Sequence, residues 1–228
     1  MSDSALALTY VEPGRDLYVT ARSDFALIFK EGTASSYDEP TSLEPSADGW
    51  EVRLPGGLAL SLERVAEPVE LAGIRAHLCA AGEDGLGVIG EIHEPPRWQD
   101  LDATRYVCAL FDRENAVIAF ARRPAGSLGH GEELVVAHLW SEGELKGVED
   151  ARLSTIYDGE GRPRQASMEL WLPSEDFPRR AFGTVTAGAS LALEGLDVHA
   201  AAMDWRMENH RGAGVYELTV REPAPAAA

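Results

Sequence analysis

The chain has 228 residues, of which 45% are hydrophobic, and it carries 38 acidic against 20 basic residues for a net charge of −18. This length allows one large domain or two small ones with a sizeable core, and the apolar content argues against a disordered chain. Because nucleic acids and anionic lipids are bound by clustered Lys and Arg side chains, the acidic balance predicts that neither is a partner.

The cysteine usage and the chain ends bear on the cellular compartment. Cys79 and Cys108 show no metal-ligand spacing, so they are predicted to be free, buried thiols in a reducing compartment. The first residues lack the pattern of a signal peptide, and no apolar run is long enough to cross a bilayer. A soluble, cytoplasmic protein is therefore expected, with a disordered tail at 223–228.

The first half of the chain consists of short alternating segments separated by Gly, Pro, Asp and Ser clusters, a pattern typical of β-strands. Strands are predicted at 5–11, 17–21, 25–30, 50–54 and 58–63. The polar stretch 31–49 is predicted to be a surface loop, with a lid over a pocket as the alternative. Segment 69–85 has apolar residues at helical spacing, but its surroundings are all β, so a strand with an irregular end is predicted.

The second half predicts one strand after another, joined by short turns. The predicted strands are 104–111, 116–122, 133–140, 148–158, 164–172, 180–193, 196–207 and 212–222. This order predicts an all-β fold, an antiparallel barrel or sandwich, in which two lobes (1–90 and 91–222) pack closely together. In the last strand, Gly212 and Gly214 are assigned to a chain reversal, while Tyr216, Leu218 and Val220 form one apolar face.

Three stretches of the second half carry a resemblance to a known family. They are GEIHEPPRW (90–98), EDARLSTIYDGEGRPRQASMELW (149–171) and DWRMENHRGAGVYELTV (204–220). Together they resemble the lipocalin-like family that includes carotenoid 1,2-hydratases (hydroxyneurosporene synthases). The chain departs from the family where relatives carry an Asp-x-Ser-Trp-Gly-like centre, because WQDLDATRY (98–106) stands there instead. The resemblance implies two lipocalin-like lobes, an apolar cavity and an isoprenoid or other lipid-like ligand.

Acid-initiated hydration or cyclisation of an alkene needs a carboxylic acid that faces an apolar cavity, and aromatic rings that stabilise a carbocation. His138 shares a strand face with Leu134, Val136 and Trp140. That pattern is typical of a core histidine bonded to a backbone carbonyl, and a catalytic histidine is the alternative.

Two acids are the remaining catalytic candidates. Asp204 follows small residues on one strand face, where a ligand can approach it, although a surface ion pair with Arg206 is the alternative. Glu217 faces the lumen if its strand closes a barrel, and solvent if the opposite face of that strand packs in the main core. The predicted substrate-binding side chains are Trp98, Tyr106, Trp140, Trp171 and Trp205.

These residues predict an enzyme that acts on an isoprenoid- or polyketide-like substrate by acid-assisted hydration, isomerisation or cyclisation. A non-catalytic carrier of a hydrophobic molecule and a structural or oligomerisation module are the alternatives. No cofactor is required by this chemistry, and no His or Cys spacing indicates a metal site. A homodimer is left open by the sequence.

Overall fold

The structure is a computed structural model that describes residues 5–173, 175–193 and 195–221. These residues form nineteen β-strands and no α-helix. The first ten strands are β1 (Ala5–Glu12), β2 (Leu17–Arg22), β3 (Ala26–Lys30), β4 (Thr33–Tyr37), β5 (Ser42–Pro45), β6 (Gly49–Leu54), β7 (Leu58–Arg64), β8 (Val69–Leu71), β9 (Ile74–Ala81) and β10 (Gly85–Ile92).

The remaining nine strands follow a connection at 93–100. They are β11 (Leu101–Leu110), β12 (Ala116–Pro124), β13 (Leu134–Ser141), β14 (Glu144–Lys146), β15 (Asp150–Tyr157), β16 (Pro163–Trp171), β17 (Arg179–Leu193), β18 (Leu196–Met207) and β19 (His210–Arg221). The all-β, antiparallel fold predicted from the sequence is confirmed.

The strands form two curled antiparallel sheets with the same strand order. The first sheet runs β4-β3-β2-β1-β10-β9-β7-β6-β5, with β8 beside β9, and the second runs β14-β13-β12-β11-β19-β18-β17-β16-β15. In each sheet, the strand that comes first in the chain pairs with the strand that comes last. One meander of strands therefore lies on each side of this central pair. Each curled sheet encloses an apolar interior, and a third apolar core fills the interface between the sheets.

One local prediction in the first half differs from the structure, and another is confirmed. The stretch 31–49 contains two edge strands, β4 and β5, rather than a bare loop. Segment 69–85 is β8 followed by β9, joined by Ala72 and Gly73 with φ of 53° and 88°, so the strand prediction is confirmed in place of the helix. The ladders of β10 to β1 and β9 run without a register shift.

The two glycines of β19 have a different role from the one predicted. The turn before β19 lies at 208–209, and Gly212 and Gly214 lie inside the strand. A Cβ atom on Gly212 would lie 2.1 Å from the Leu110 carbonyl oxygen, and one on Gly214 would lie 1.9 Å from that of Cys108. The glycines are therefore needed because β19 approaches β11 closely, and not because the chain reverses there.

Other predictions concern the cysteines, the membrane and the tail. Cys79 and Cys108 are free and buried, as expected. Among the described residues there is no helix with the length and hydropathy needed to span a membrane. The tail at 223–228, predicted to be disordered, lies outside the described residues.

Candidate functional site

A row of polar side chains from β2 crosses the otherwise apolar interface between the sheets. Val19 and Ala21 pack inside the first sheet. Because side chains alternate along a strand, Tyr18, Thr20 and Arg22 point to the opposite face, toward the second sheet. Each of the three forms a hydrogen bond to a carboxylate of that sheet.

Glu217 receives two of these contacts. Its neighbours Tyr216 and Leu218 pack inside the second sheet, so Glu217 points into the interface, where it is 5% exposed. Thr20 Oγ1 donates a hydrogen bond to Glu217 Oε2 at 3.1 Å, and the Arg22 guanidinium forms an ion pair with Oε1. Glu217 thus lies in neither of the places considered from the sequence, solvent or the lumen of its own sheet.

Tyr106 lies beside Glu217, because the two residues are directly paired between β11 and β19. Burial raises the pKa of the Tyr106 hydroxyl well above its usual value, and the nearby Cys108 thiol and Glu217 carboxylate also raise this pKa. The phenol is therefore protonated at neutral pH, and its hydroxyl lies within hydrogen-bonding reach of Thr9 and Cys108. Tyr106 still keeps some accessible surface, because it lines a cavity.

The cavity lies between the sheets and has a volume of about 60 Å³. Its polar side is formed by Thr9, Thr20, Arg22, Tyr106 and Glu217. Its apolar side includes Leu71, Ile74, Val88, Ile92 and Phe120. Since the charges of Arg22 and Glu217 offset each other, this arrangement suits a neutral molecule with one oxygen function and an apolar body.

A larger cleft of about 820 Å³ opens at one end of the interface, lined by three turns and by residues of β18 and β19. Its lining includes five carboxylates (Glu83, Asp84, Asp112, Glu114 and Asp204) and two arginines (Arg113 and Arg211). Asp204 is exposed there, and Tyr18 donates a hydrogen bond to its Oδ1 at 3.4 Å. Burial, followed by the Asp204 charge, raises the pKa of Tyr18 to about 12. Asp204 thus faces this cleft, whereas Glu217 faces the cavity.

His138 is half-buried and lies apart from the cavity. Its Nε2 is 2.7 Å from the backbone carbonyl oxygen of Glu70 in β8, so the imidazole N–H donates a hydrogen bond across the two sheets. This is the contact expected of a core histidine. The strand face that His138 shares with Leu134 and Trp140 is buried at only one end, since Leu134 is 64% exposed and Trp140 is 2% exposed.

The four tryptophans predicted to bind substrate do not converge on the cavity. Trp140 packs in the core between the sheets, and Trp205 packs inside the second sheet against Gly183. Trp171 lies in β16, and Trp98 lies in the connection between the sheets, where its carbonyl accepts a hydrogen bond from Arg221 at 2.9 Å. Of the predicted site residues, only Tyr106 and Glu217 line the cavity.

Sequence reasoning missed the polar residues of β2. The signal was present, because LYVTAR (17–22) carries a hydrogen-bonding side chain at every second position. It also missed an ion pair between Arg105 and Glu133 that lies deep in the second sheet. There Arg105 also donates hydrogen bonds to Thr155 Oγ1 at 3.0 Å and to the Leu153 carbonyl at 2.9 Å.

No protein-family model matches the chain, and no curated protein sequence matches it significantly. Solved structures do match the chain. CghA in complex with Sch210972 superposes with a TM-score of 0.64 at 11% identity, and the match covers 96% of this chain and 88% of CghA. CghA in a second structure gives the same TM-score at 10% identity, covering 98% and 89% of the two chains. Kievitone hydratase from Nectria haematococca gives 0.57 at 8% identity, covering 96% and 90%.

The chain shares their fold. The likeness extends over almost the whole chain, whereas the sequence resemblance was confined to the second half. At such low identities it establishes the lipocalin-like architecture of two curled sheets and nothing about the reaction. It supports the predicted family resemblance at the level of the fold.

Proposed function

We propose that the chain is an enzyme that binds an apolar small molecule between its two sheets. We assign it an acid-assisted hydration, isomerisation or cyclisation of an isoprenoid- or polyketide-like substrate. The observation that carries this proposal is that a buried carboxylate, Glu217, and a protonated phenol, Tyr106, face one cavity with an apolar opposite wall. The fold neighbours support it, since one is named a hydratase and another was solved with a small molecule.

The roles follow from the positions of the two groups. Tyr106 donates a hydrogen bond to the oxygen function of the substrate, and Glu217 transfers the proton. In a hydration, Glu217 first takes up a proton from solvent when its contact with Arg22 is broken. The resulting acid gives that proton to one alkene carbon, water adds to the cation, and the added water returns a proton to the carboxylate. The step needs no oxidant, reductant or cofactor.

Single substitutions test the two roles. Glu217→Gln removes the proton carrier but keeps the size of the side chain, so we expect turnover on a terpenoid and polyketide panel to fall by about 10²–10⁴-fold. Tyr106→Phe removes the phenol donor, so we expect a loss of about tenfold or more. Substrate binding and turnover are measured in parallel for each variant.

Glu169→Gln is the matched control, because Glu169 pairs with Arg180 at 3.0 Å outside the cavity. Asp204→Asn tests whether the cleft takes part. Turnover by Glu217→Gln at the wild-type rate would refute the assignment of Glu217.

A non-catalytic carrier is the second candidate. The observation that favours it is that the Glu217 carboxylate is already held by Thr20 and Arg22. A carrier would bind members of the panel without turning them over, and Glu217→Gln would then change affinity alone. A scaffold, in contrast, would bind no member of the panel.

A further inference from the structure

The cavity is closed to ligands in the conformation described above. Its volume of about 60 Å³ holds about two water molecules, while sites for drug-sized ligands span about 300–1,000 Å³. Some part of its wall must therefore move before an organic molecule enters.

Of the two charged residues in the cavity wall, Arg22 is the one that reaches solvent. Its side chain is 35% exposed, whereas that of its ion-pair partner Glu217 is 5% exposed. The guanidinium carbon also lies 5.5 Å from the ring centroid of Phe25, which is buried in the core between the sheets. The side chain thus extends from the first sheet across the interface, with the Phe25 ring beneath it.

The backbone of Arg22 is held at both polar groups. Its N–H donates a hydrogen bond to the Phe25 carbonyl at 2.9 Å, and its carbonyl accepts one from the Thr41 hydroxyl. We therefore expect the cavity wall to open by rotation of the Arg22 side chain about its own torsions, while the backbone of β2 stays in place. Such rotations of partly exposed side chains are fast compared with rearrangement of a sheet.

We propose that Arg22 is the gating and positioning residue of the cavity: its guanidinium closes the mouth and holds the Glu217 carboxylate, so that a ligand enters only when Arg22 leaves Glu217. A ligand then enters the cavity in the same step in which Arg22 releases the Glu217 carboxylate. This inference rests on the proposed function for the identity of the site, but its test needs no turnover.

The experiment measures entry of a neutral probe by stopped-flow fluorescence. The probes are 2-naphthol and 9-phenanthrol, which share one hydroxyl group and differ in the size of the apolar body. Arg22→Ala removes the gate, so we expect the association rate of both probes to rise about tenfold. Arg22→Lys keeps a charge that pairs with Glu217, so it is expected to restore slow entry in part.

Ionic strength gives a second readout. Because salt screens a partly exposed ion pair, entry into the wild-type chain should become faster as salt is added. The rate for Arg22→Ala should not respond, since the probes are uncharged and the ion pair is gone. A residue that only stabilised the fold would not produce this difference.

Two further variants guard against misfolding and chance effects. Removing Arg22 leaves a buried carboxylate without its partner, which can destabilise the chain. Glu217→Gln breaks the same ion pair from the other side while retaining polar contact with Thr20, and it should speed entry similarly. Arg15→Ala is the control: Arg15 lies in the turn between β1 and β2 and is also paired, with Glu12 at 3.1 Å, but it does not line the cavity.

The outcomes separate the gate from the proposed function. Equal entry rates in the wild type, Arg22→Ala and Glu217→Gln would overturn the gate, as would failure of the Arg22→Ala chain to bind either probe. Faster entry in both variants, together with wild-type turnover by Glu217→Gln, would leave the gate standing and refute the catalytic assignment instead.

Discussion

At the residue scale, the charge of His77 is linked to the stability of the fold. It is 4% exposed inside the first sheet, against the Trp50 ring at a centroid distance of 4.7 Å, and its Nε2 lies 3.3 Å from Glu91. Burial lowers the pKa of His77; Glu91 opposes this shift, and the charges of Arg64 and Arg75 add to it. His93 also lies near Glu91, at 3.7 Å.

This environment predicts a loss of stability in acid. The folded chain holds His77 neutral, whereas the unfolded chain binds a proton below a pH of about 6.5, so the unfolded state takes up more protons as the pH falls through that point. The contribution of His77 is therefore present above this pH and is lost below it. Denaturant unfolding of His77→Leu should show a flatter pH dependence than the wild type in this window. Parallel curves would contradict the prediction.

At the scale of the element, β19 shows how tightly two strands can constrain a sequence. We expect Gly214→Ala to lower the free energy of unfolding by about 1–3 kcal/mol, because the added Cβ meets the Cys108 carbonyl and β19 must shift away from β11. Urea unfolding measures the change. Gly147→Ala is the matched control, since a Cβ there meets no atom within 4 Å. Equal effects of the two substitutions would contradict the close approach.

The same strand shows which features a single sequence can predict. Alternation along 212–222 correctly predicted a strand with Tyr216 and Leu218 on a buried face, because that period depends only on local geometry. Glu217 lies on the opposite face of β19, and its surroundings depend on the first sheet, which packs against that face. No local pattern in β19 encodes this packing. The prediction that Gly212 and Gly214 mark a chain reversal was wrong for a related reason. Glycine is selected both by a chain reversal and by the close approach of two strands, and the sequence alone does not distinguish them.

At the scale of the whole molecule, the candidate site exists only because the two sheets pack together. Tyr18, Thr20 and Arg22 of the first sheet contact Asp204 and Glu217 of the second, and one apolar core is shared by both sheets. The sequence predicted two close lobes, but it located the candidate catalytic groups within strands of the second half. It could not identify the face of β2 as their partner, because residues almost 200 positions apart meet only in the folded chain.

This shared core predicts that the sheets stay together when the chain between them is cut. A protease recognition sequence inserted in 94–97, within the connection 93–100, would allow cleavage after folding. The two fragments should then co-elute in gel filtration, because the apolar interface and the Arg22–Glu217 ion pair remain. The uncut insertion variant is the control for damage caused by the insertion itself. Separation of the fragments at micromolar concentration would show instead that the connection, and not the interface, holds the cavity together.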